Sequence, residues 1–418
     1  MLKRILYLTA VFSISTNILI AQSNFWEEVA LPGTVNPIPT CFTSTSNGDV
    51  YCGTNSHGVF KSTDNGSTWT QVFSTQWNVE SLGANSIDDI FAGTTGGVYR
   101  SSNSGASWPA IGCPTSFSML NIIYALGINS SDELFGATNY GIYISTDNGA
   151  IWNSTVLDTP YFEDICIKPS DDIFVSTAWD GIFVSRDNGD TWTAINTGLP
   201  PHPFYITMAI LSIDFVGDTL YCGVSSNRGV YKSTDNGSNW FSSGLDTSSV
   251  TCLAIDSNGY IYAGTNLGGA YLSNDHANTW TGINSGLTND HVTELFITPD
   301  GHILAGTYYA LFRSTQTIVS IDHMTTMGFS LSQNYPNPFN PTTTLKYNLP
   351  ETSDITLNIF DITGRNIKQW SVSNQQSGWH EVIWDGTDTH GNIVSTGVYI
   401  YSLKAGDFID TKKMVFMK

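Results

Sequence analysis

Six times along this chain a short box returns: "STDNGSTW" (62–69), "SSNSGASW" (101–108), "STDNGAIW" (145–152), "SRDNGDTW" (185–192), "STDNGSNW" (233–240) and "SNDHANTW" (273–280). The steps between first serines are 39, 44, 40, 48 and 40 residues. Each box follows the same pattern: an apolar run such as "TCFTST", a turn, "DVYCGT", and then "GVFKSTDNG". Three strands therefore precede each box and a fourth leaves from its Trp. A period near 40 built from short strands is what propeller blades require.

Counting blades needs both ends of the array. The stretch "HVTELFITPDGHILAGTYYALFRST" (291–315) supplies a seventh set of inner strands but carries no box. Near the start, "FWEEVALPG" (25–33) matches the strand after a box, with Trp26 in the place of Trp69. An open sheet edge invites pairing with other chains, so closure by a distant segment is the economical solution. The expected fold is all-β: a seven-bladed β-propeller over 22–315, with blade seven closed by 25–31, then a small Ig-like β-sandwich.

Within the box, Asp-Asn-Gly makes a tight turn, because Asp accepts bonds from nearby N–H groups and Gly tolerates positive φ. The box residues Asp64, Trp69, Asp147, Trp152, Asp187, Trp192, Asp235, Trp240, Asp275 and Trp280 are read as scaffold. The spacing does not match an EF-hand ligand pattern. These boxes resemble the Asp-box, or BNR, repeat of sialidases, xyloglucanase-type glycoside hydrolases, sortilin-like receptors and photosystem assembly propellers. The resemblance implies a peripheral structural role, away from the ligand face. Asn103 replaces the Asp of the second box and Ala277 the Gly of the sixth, so looser corners are expected there.

The two ends carry a different message. "MLKRILYLTAVFSISTNILIAQS" has Lys3 and Arg4 before an apolar run, the pattern of a secretory signal over 1–21. Without it, 14 basic residues face 36 acidic ones, a net charge of −22. Such a surface repels phosphate backbones and argues against nucleic-acid binding. The apolar run is too short and too broken by Ser and Thr for a transmembrane span. After a linker at 316–328, residues 329–418 alternate apolar and polar positions with frequent turn signals, as a small β-sandwich does. "NYPNPFNP" (334–341), "WDGTD" (384–388), "GVYIY" (397–401) and Lys412–Lys413 resemble the type A C-terminal sorting domain of the type IX secretion system. That resemblance implies export to the periplasm, passage to the outer-membrane surface or medium, and the secretion machinery as a partner.

Candidate ligand residues lie on the turns joining second to third strands: His57, Tyr140, Trp179, Asp180, Arg228, Tyr308 and Tyr309. Connections between blades add Trp77, Tyr161, Phe162, His202, Tyr205 and His291. Exposed rings beside Asp, Asn and Arg suit sugar rings, whose C–H faces stack while hydroxyls take hydrogen bonds. Catalysis would need paired carboxylates, and Asp164, Glu294, Glu80 and Glu163 near the starts of first strands are the candidates. A sialidase is not expected, since its "FRIP"-like arginine motif is missing and only Arg228 of the propeller arginines falls on a ligand turn. The cysteines and histidines show no metal-ligand spacing, and no cofactor is expected. The reading is a secreted or surface propeller acting as a non-catalytic binding module for glycan or protein. The alternative is a carbohydrate-active hydrolase or lyase.

Overall fold

The computed structural model describes residues 24–112, 122–317 and 330–417, apart from 158, 160, 203–208, 257, 335, 350, 351, 377 and 407. The leader at 1–21, most of the linker and Tyr205 lie outside the described residues. Seven four-stranded antiparallel sheets precede the sandwich. Their first strands are Pro39–Ser44, Val79–Ala84, Ile123–Ile128, Phe162–Ile167, Ile210–Val216, Val250–Ile255 and Val292–Ile297. Each packs against the next, and the seventh returns to the first, so the strands surround a central axis.

The second strands show how the sequence permits this. All five residues are buried in each of Val50–Thr54, Ile90–Thr94 and Ile261–Thr265, which makes them the middle of the blade core. The recurrent Gly in "CGT" and "AGT" has a specific reason. A Cβ at Gly53 would lie 2.7 Å from Val79 of the next blade, at Gly93 2.8 Å from Ile123, and at Gly264 2.7 Å from Val292. Around the ring's end, Gly306 stands against Pro39 in the same way, at 2.8 Å. The Thr after each of these glycines turns its hydroxyl onto the carbonyl that closes the next turn, as Thr54 Oγ1 does to Gly58 at 2.8 Å.

The first box is closed by hydrogen bonds of its own residues. Ser62 Oγ donates to Asp64 Oδ1 at 2.8 Å and accepts from the Gly66 N–H, while Asp64 accepts from the Thr68 N–H. The Trp69 indole donates to the Gly66 carbonyl at 2.9 Å and covers the turn. The expected looseness at two corners is not found. Asn103 Oδ1 receives the Ser107 N–H at 2.9 Å, as an aspartate would. Ala277 adopts φ +62 and still donates its N–H to Ser273 at 2.9 Å. The box is a network of backbone donors meeting side-chain oxygens, so an amide oxygen serves as well as a carboxylate.

Blade seven closes with Trp26–Val29 against Leu311–Ser314, pairing Trp26 with Ser314 and Val29 with Leu311. Trp26 is 1 % exposed and its indole donates to the Ile283 carbonyl. The same indole-to-preceding-blade bond is made by Trp240 to Ile195 at 2.7 Å and by Trp280 to Ser243 at 2.8 Å.

The tail forms a three-stranded sheet of Ser330–Leu331, Thr343–Leu349 and Gly378–Trp384, and a four-stranded sheet of Asn366–Gln375, Ser353–Asp361, Gly397–Ala405 and Phe408–Phe416. The "NPFNP" stretch is a clamp on the final strand. Phe339 exchanges backbone bonds with Val415 and Met417, and its ring stacks on Phe416 at 4.9 Å.

Replacing a buried Trp by Ala costs about 3–5 kcal/mol. Trp26→Ala in the full chain is expected to lower the urea midpoint of the propeller transition by as much as Trp240→Ala does. An unchanged midpoint would show that 25–31 is a dispensable arm rather than the last strand of the ring.

Candidate functional site

In every blade the first strand runs away from the connection that enters it, so those connections and the second-to-third turns share one face. Their backbones are tied together there: Asn55 N–H to Ile38 C=O, Thr95 to Asn78, Ser225 to Ala209 and Asn266 to Ser249, all at 3.0 Å. The boxes and the first-to-second turns occupy the opposite face, where Asn85 meets Asn148 of the next blade's box.

The axial cavity opens among the seven first strands and has a volume of 300 Å³. Its geometry comes from a repeated irregularity. In each first strand the pairing register skips one residue after the first, a β-bulge at Thr40, Glu80, Tyr124, Glu163, Leu211, Thr251 and Thr293. A bulge leaves its extra residue unpaired and re-aims side chains. Three threonines use this to bridge blades: Thr251 Oγ1 reaches Val292 C=O at 2.6 Å, Thr293 reaches Pro39 C=O at 2.7 Å, and Thr40 reaches Val79 C=O. Glu80, Tyr124 and Glu163 line the cavity together with Thr40, Leu211 and Thr251. One residue further along the strands come Cys41, Ser81, Ala125, Asp164, Ser212, Cys252 and Glu294, and then Phe42, Leu82, Leu126, Ile165 and Leu253.

All four carboxylates proposed from sequence therefore meet in one cavity. Glu163 is exposed into it; Glu80, Asp164 and Glu294 are hemmed in by protein but keep part of their surface open. Burial pushes Glu163 up to about 7, with the Asp164 charge adding to it. Burial raises Asp164 to about 6 although the Ile213 and Ile165 N–H groups, at 2.9 and 2.8 Å, favour its charged form. Glu294 is raised well above the usual carboxylate range by burial, then by Asp164 and Asp214. Glu80 is raised by burial against a hydrogen bond from Asn78. Asp214, which sequence reading passed over, is pushed by burial to about 7 and accepts the Phe215 N–H at 2.7 Å. Asp164 and Asp214 are tied to neighbouring strands and hold blades together as much as they face a ligand.

The turn residues form a rim rather than a single cluster. Tyr308 and Tyr309 stand edge to face at 5.2 Å, 43 % and 53 % exposed, with His291 5.0 Å from Tyr308. Tyr140 and Tyr161 are likewise exposed. Trp179 is half-buried with its ring edge-on to His202 at 6.0 Å. Asp180 is engaged in its own loop, bonded by Thr159 and by its N–H to Thr177 Oγ1. His57 is half-buried with its ring on the Asn55 carbonyl, and Trp77 lies over Gly96. Phe162, expected on the rim, is instead 1 % exposed in the blade core, because it is the first residue of its strand and packs like Val79 and Ile123. Arg228 is exposed on its turn.

Arg228 is also alone in its placement. Lys61, Arg186, Lys232 and Arg313 each reach the backbone of the next box, at the carbonyls of Ser104, Asn236, His276 and Asn65. Arg100 pairs with Asp89, and Lys168 bonds Asn236 Oδ1 at 2.9 Å. The propeller's other lysines and arginines thus serve the box face. No group of His, Cys, Asp or Glu able to hold a metal ion is present among the described residues. Five cysteines are free thiols; Cys113 lies outside the described residues. A groove of 640 Å³ on the sandwich is lined by Asp361 and Asp388, but both carboxylates are consumed by turn N–H groups.

Comparison with known proteins agrees with this architecture. Residues 339–407 match the FlgD Ig-like domain, and 244–267 match the two component regulator propeller. No curated protein matches the sequence. Among solved structures, the chain is similar to the extracellular domain of BT4673 from B. thetaiotaomicron, described as a hybrid two component system, at 15% identity and TM-score 0.59 over 78% of this chain and 46% of that one. It is also similar to PorZ, a surface component of the type-IX secretion system of Porphyromonas gingivalis, at 16% identity and TM-score 0.50, covering 90% and 59%. YCF48 bound to D1 peptide aligns at 17% identity and TM-score 0.56, covering 71% of this chain and 98% of YCF48. The chain spans about half the length of the first two. At these identities the likeness is one of fold: an all-β propeller followed by an Ig-like domain. No helix among the described residues is long and apolar enough to cross a membrane.

The raised carboxylates give a pH signature of definite sign. A carboxyl whose folded pKa exceeds its unfolded value binds more protons when folded, so its contribution to stability is lost as pH rises through that interval. For Glu163 the interval runs from its ordinary 4.5 to about 7. Glu163→Gln and wild type should melt together near pH 4 and diverge above it, the variant being the more stable at pH 7.5. Coincident melting curves across this range would remove Glu163 from the set of perturbed groups.

Proposed function

We propose that this protein is a non-catalytic binding module of the cell exterior, taking a glycan or protein ligand on the face that carries the inter-blade connections. The observation that carries this reading is the set of exposed tyrosines, Tyr140 and Tyr161 at blades three and four and Tyr308 and Tyr309 at blade seven, on the face that carries the inter-blade connections. Large rings with polar tips are favoured where a surface must be apolar and still make hydrogen bonds. The similarity to extracellular domains and to a surface component supports the location, and YCF48 bound to a peptide supports a protein ligand for a propeller of this shape. The leader at 1–21 and the tail motifs support export by the type IX system, with 329–418 as the sorting unit.

A hydrolase or lyase is the second reading, favoured by the collection of Glu80, Glu163, Asp164 and Glu294 in one cavity with carboxyls raised toward neutrality, as a general acid requires. Two points weigh against it. Asp164 is occupied by two backbone N–H groups. A glycosidase places its carboxyls on either side of a bound sugar, whereas these stand inside a bore at the small end of ligand-pocket volumes.

Three experiments test the reading. Tyr308→Ala with Tyr309→Ala should weaken capture on glycan and peptide arrays by about tenfold or more, with the melting temperature unchanged, because exposed rings contribute little to blade packing. Polysaccharide cleavage by the wild type that disappears in Glu163→Gln would instead promote the hydrolase. Deleting 329–418 should leave a folded propeller that accumulates in the periplasm of the native host. Normal appearance of the truncated protein outside the cell would refute the sorting role.

A further inference from the structure

A second cleft on the loop face shares no residue with the axial cavity. It has a volume of 250 Å³, with Asn227, Thr247, Ser248, Ser249, Asn266 and Leu267 among its walls. Asn227 belongs to the second-to-third turn of blade five, Asn266 and Leu267 to that of blade six, and the three hydroxyl residues to the connection between those blades. Leu267 is 83 % exposed, the most of any large hydrophobic side chain among the described residues. A lone exposed Leu needs no explanation, but this one stands in a row. Asn266 forms a β-bridge with His291, the His291 ring lies 5.0 Å from Tyr308, and Tyr308 meets Tyr309 edge to face at 5.2 Å. The cleft therefore continues into the tyrosines of blade seven.

The polar groups of this row select among ligands. The backbone N–H groups of its turns are already used within the face: Asn227 to Ser249 Oγ at 3.0 Å, Gly229 to the Ser248 carbonyl, Asn266 to Ser249, Gly269 to Asp290 and Tyr308 to His291. An extended peptide bound by strand addition needs such donors open. The side chains are in the opposite state. The Asn266 amide and the Thr247 and Ser248 hydroxyls make no hydrogen bond among the described residues. Amides and hydroxyls both donate and accept, as sugar hydroxyls do, while the C–H faces of sugars suit Tyr and Leu. Arg228, next to Asn227, makes no ion pair among the described residues, and exposed Asp246 and Asp290 stand on the neighbouring connections. The chain carries a formal net charge of −20, a surface that repels polyanions.

Resting on the binding reading above, we propose that this cleft is a subsite for a neutral polysaccharide: one sugar ring enters between blades five and six, and the polymer runs on toward Tyr308 and Tyr309. A volume of 250 Å³ lies below the range of pockets that enclose a whole drug-sized ligand and suits one ring of a longer chain. Asn266, Thr247 and Ser248 meet its hydroxyls, Leu267 covers a C–H face, and Arg228 adds charged donors at the blade-five end. Tyr309, 53 % exposed, offers the next stacking surface. The ligand so placed lies off the axis and makes no use of the acidic cavity.

The test is affinity electrophoresis of the full chain in gels that contain a mixed-linkage β-glucan, galactomannan, arabinoxylan or α-mannan as neutral probes, and polygalacturonate or alginate as charged ones. At least one neutral polymer is expected to retard the protein, and neither charged one. On the retarding polymer, Asn266→Ala with Leu267→Ala should weaken binding by about tenfold or more, and Tyr309→Ala likewise. The melting temperature should stay unchanged, because these side chains are exposed. Phe241→Ala removes another exposed ring, on the outer strand of blade five, and should leave binding as it was. Retardation by none of the neutral polymers, stronger retardation by a charged one, or equal loss in Phe241→Ala would overturn the proposal. So would binding to a neutral polymer that survives the Asn266 and Leu267 changes; if Tyr308→Ala with Tyr309→Ala still abolishes it, the binding reading stands and this subsite falls. Peptide capture that depends on the tyrosines, without any polysaccharide binding, would separate the two readings in the same way.

Discussion

The structure depends on one constraint, the distance at which a blade can approach the next. That distance is set where a glycine of one second strand faces the first residue of the following first strand, Gly53 against Val79 and Gly264 against Val292. At Gly53 and Gly264 a Cβ would collide with the next blade, whereas blades three and four carry Ala137 and Ser176 at the same register. The first strands come close enough for Thr40, Thr251 and Thr293 to hydrogen-bond the next blade, and the space left between them is a narrow bore rather than a wide channel. The glycine contact recurs in five of the seven blades, and the one that closes the ring, Gly306 with Pro39, is as tight as the others. The strand Trp26–Val29 then covers the outer edge of the blade that makes this last contact.

Much of this was legible because each piece of scaffold has a residue that only one local geometry explains. Asp64 and Gly66 mean a turn, Trp69 means a cover for it, and a Trp26 without a box means a fourth strand that arrives from elsewhere. The "AGT" repeat was visible, but its reason lay in another blade, which no local pattern discloses. A ladder on the box face was missed for the same cause. Ser46, Ser86 and Ser130 each donate both N–H and hydroxyl to Asp88, Asp132 and Asp171 of the following blade. These residues sit in ordinary turn sequences such as "SIDD" and "SSDE", about 40 residues from their partners. The four carboxylates could be named, since they stand near the starts of first strands. Their assembly could not, since it depends on bulges that shift the register by one residue and leave no mark in the sequence. Phe162 shows the converse error: placed on the rim by its neighbour Tyr161, it belongs to the core because the strand begins at it.

The geometry of the tail has a similar lesson for motifs. Asn334 donates to Thr343, Asn337 accepts from the Val415 N–H, and Phe339 packs between Trp384 and Phe416. "NYPNPFNP" is therefore sufficiently explained as the latch that fixes the last strand. Any recognition by an export machine would act through the surface this latch holds in shape, and mutating the motif alone would confuse unfolding with loss of a signal.

Charge is where scaffold and ligand face divide. On the box face, Lys61, Arg186, Lys232 and Arg313 cross four of the seven seams to a backbone carbonyl, and acids such as Asp64 cap turn N–H groups. Asp64 and Asp187 are held below the usual range by the hydrogen bonds of their boxes. At the axis the same residue type is driven the other way, because burial disfavours a charge that nothing opposes. Proteins place acids in such surroundings at a cost to stability, and perturbed groups of this kind gather at functional sites. The contrast is internal to one molecule and one fold: strands built alike carry aspartates held low by their turns at one end and carboxyls raised by burial at the other. Packing alone would be served better by Leu211 or Ala125, which two blades already place at the positions where others carry acids. Blade packing therefore does not account for Glu80, Glu163 and Glu294, whereas Asp164 also ties its blade to the next through the Ile213 N–H.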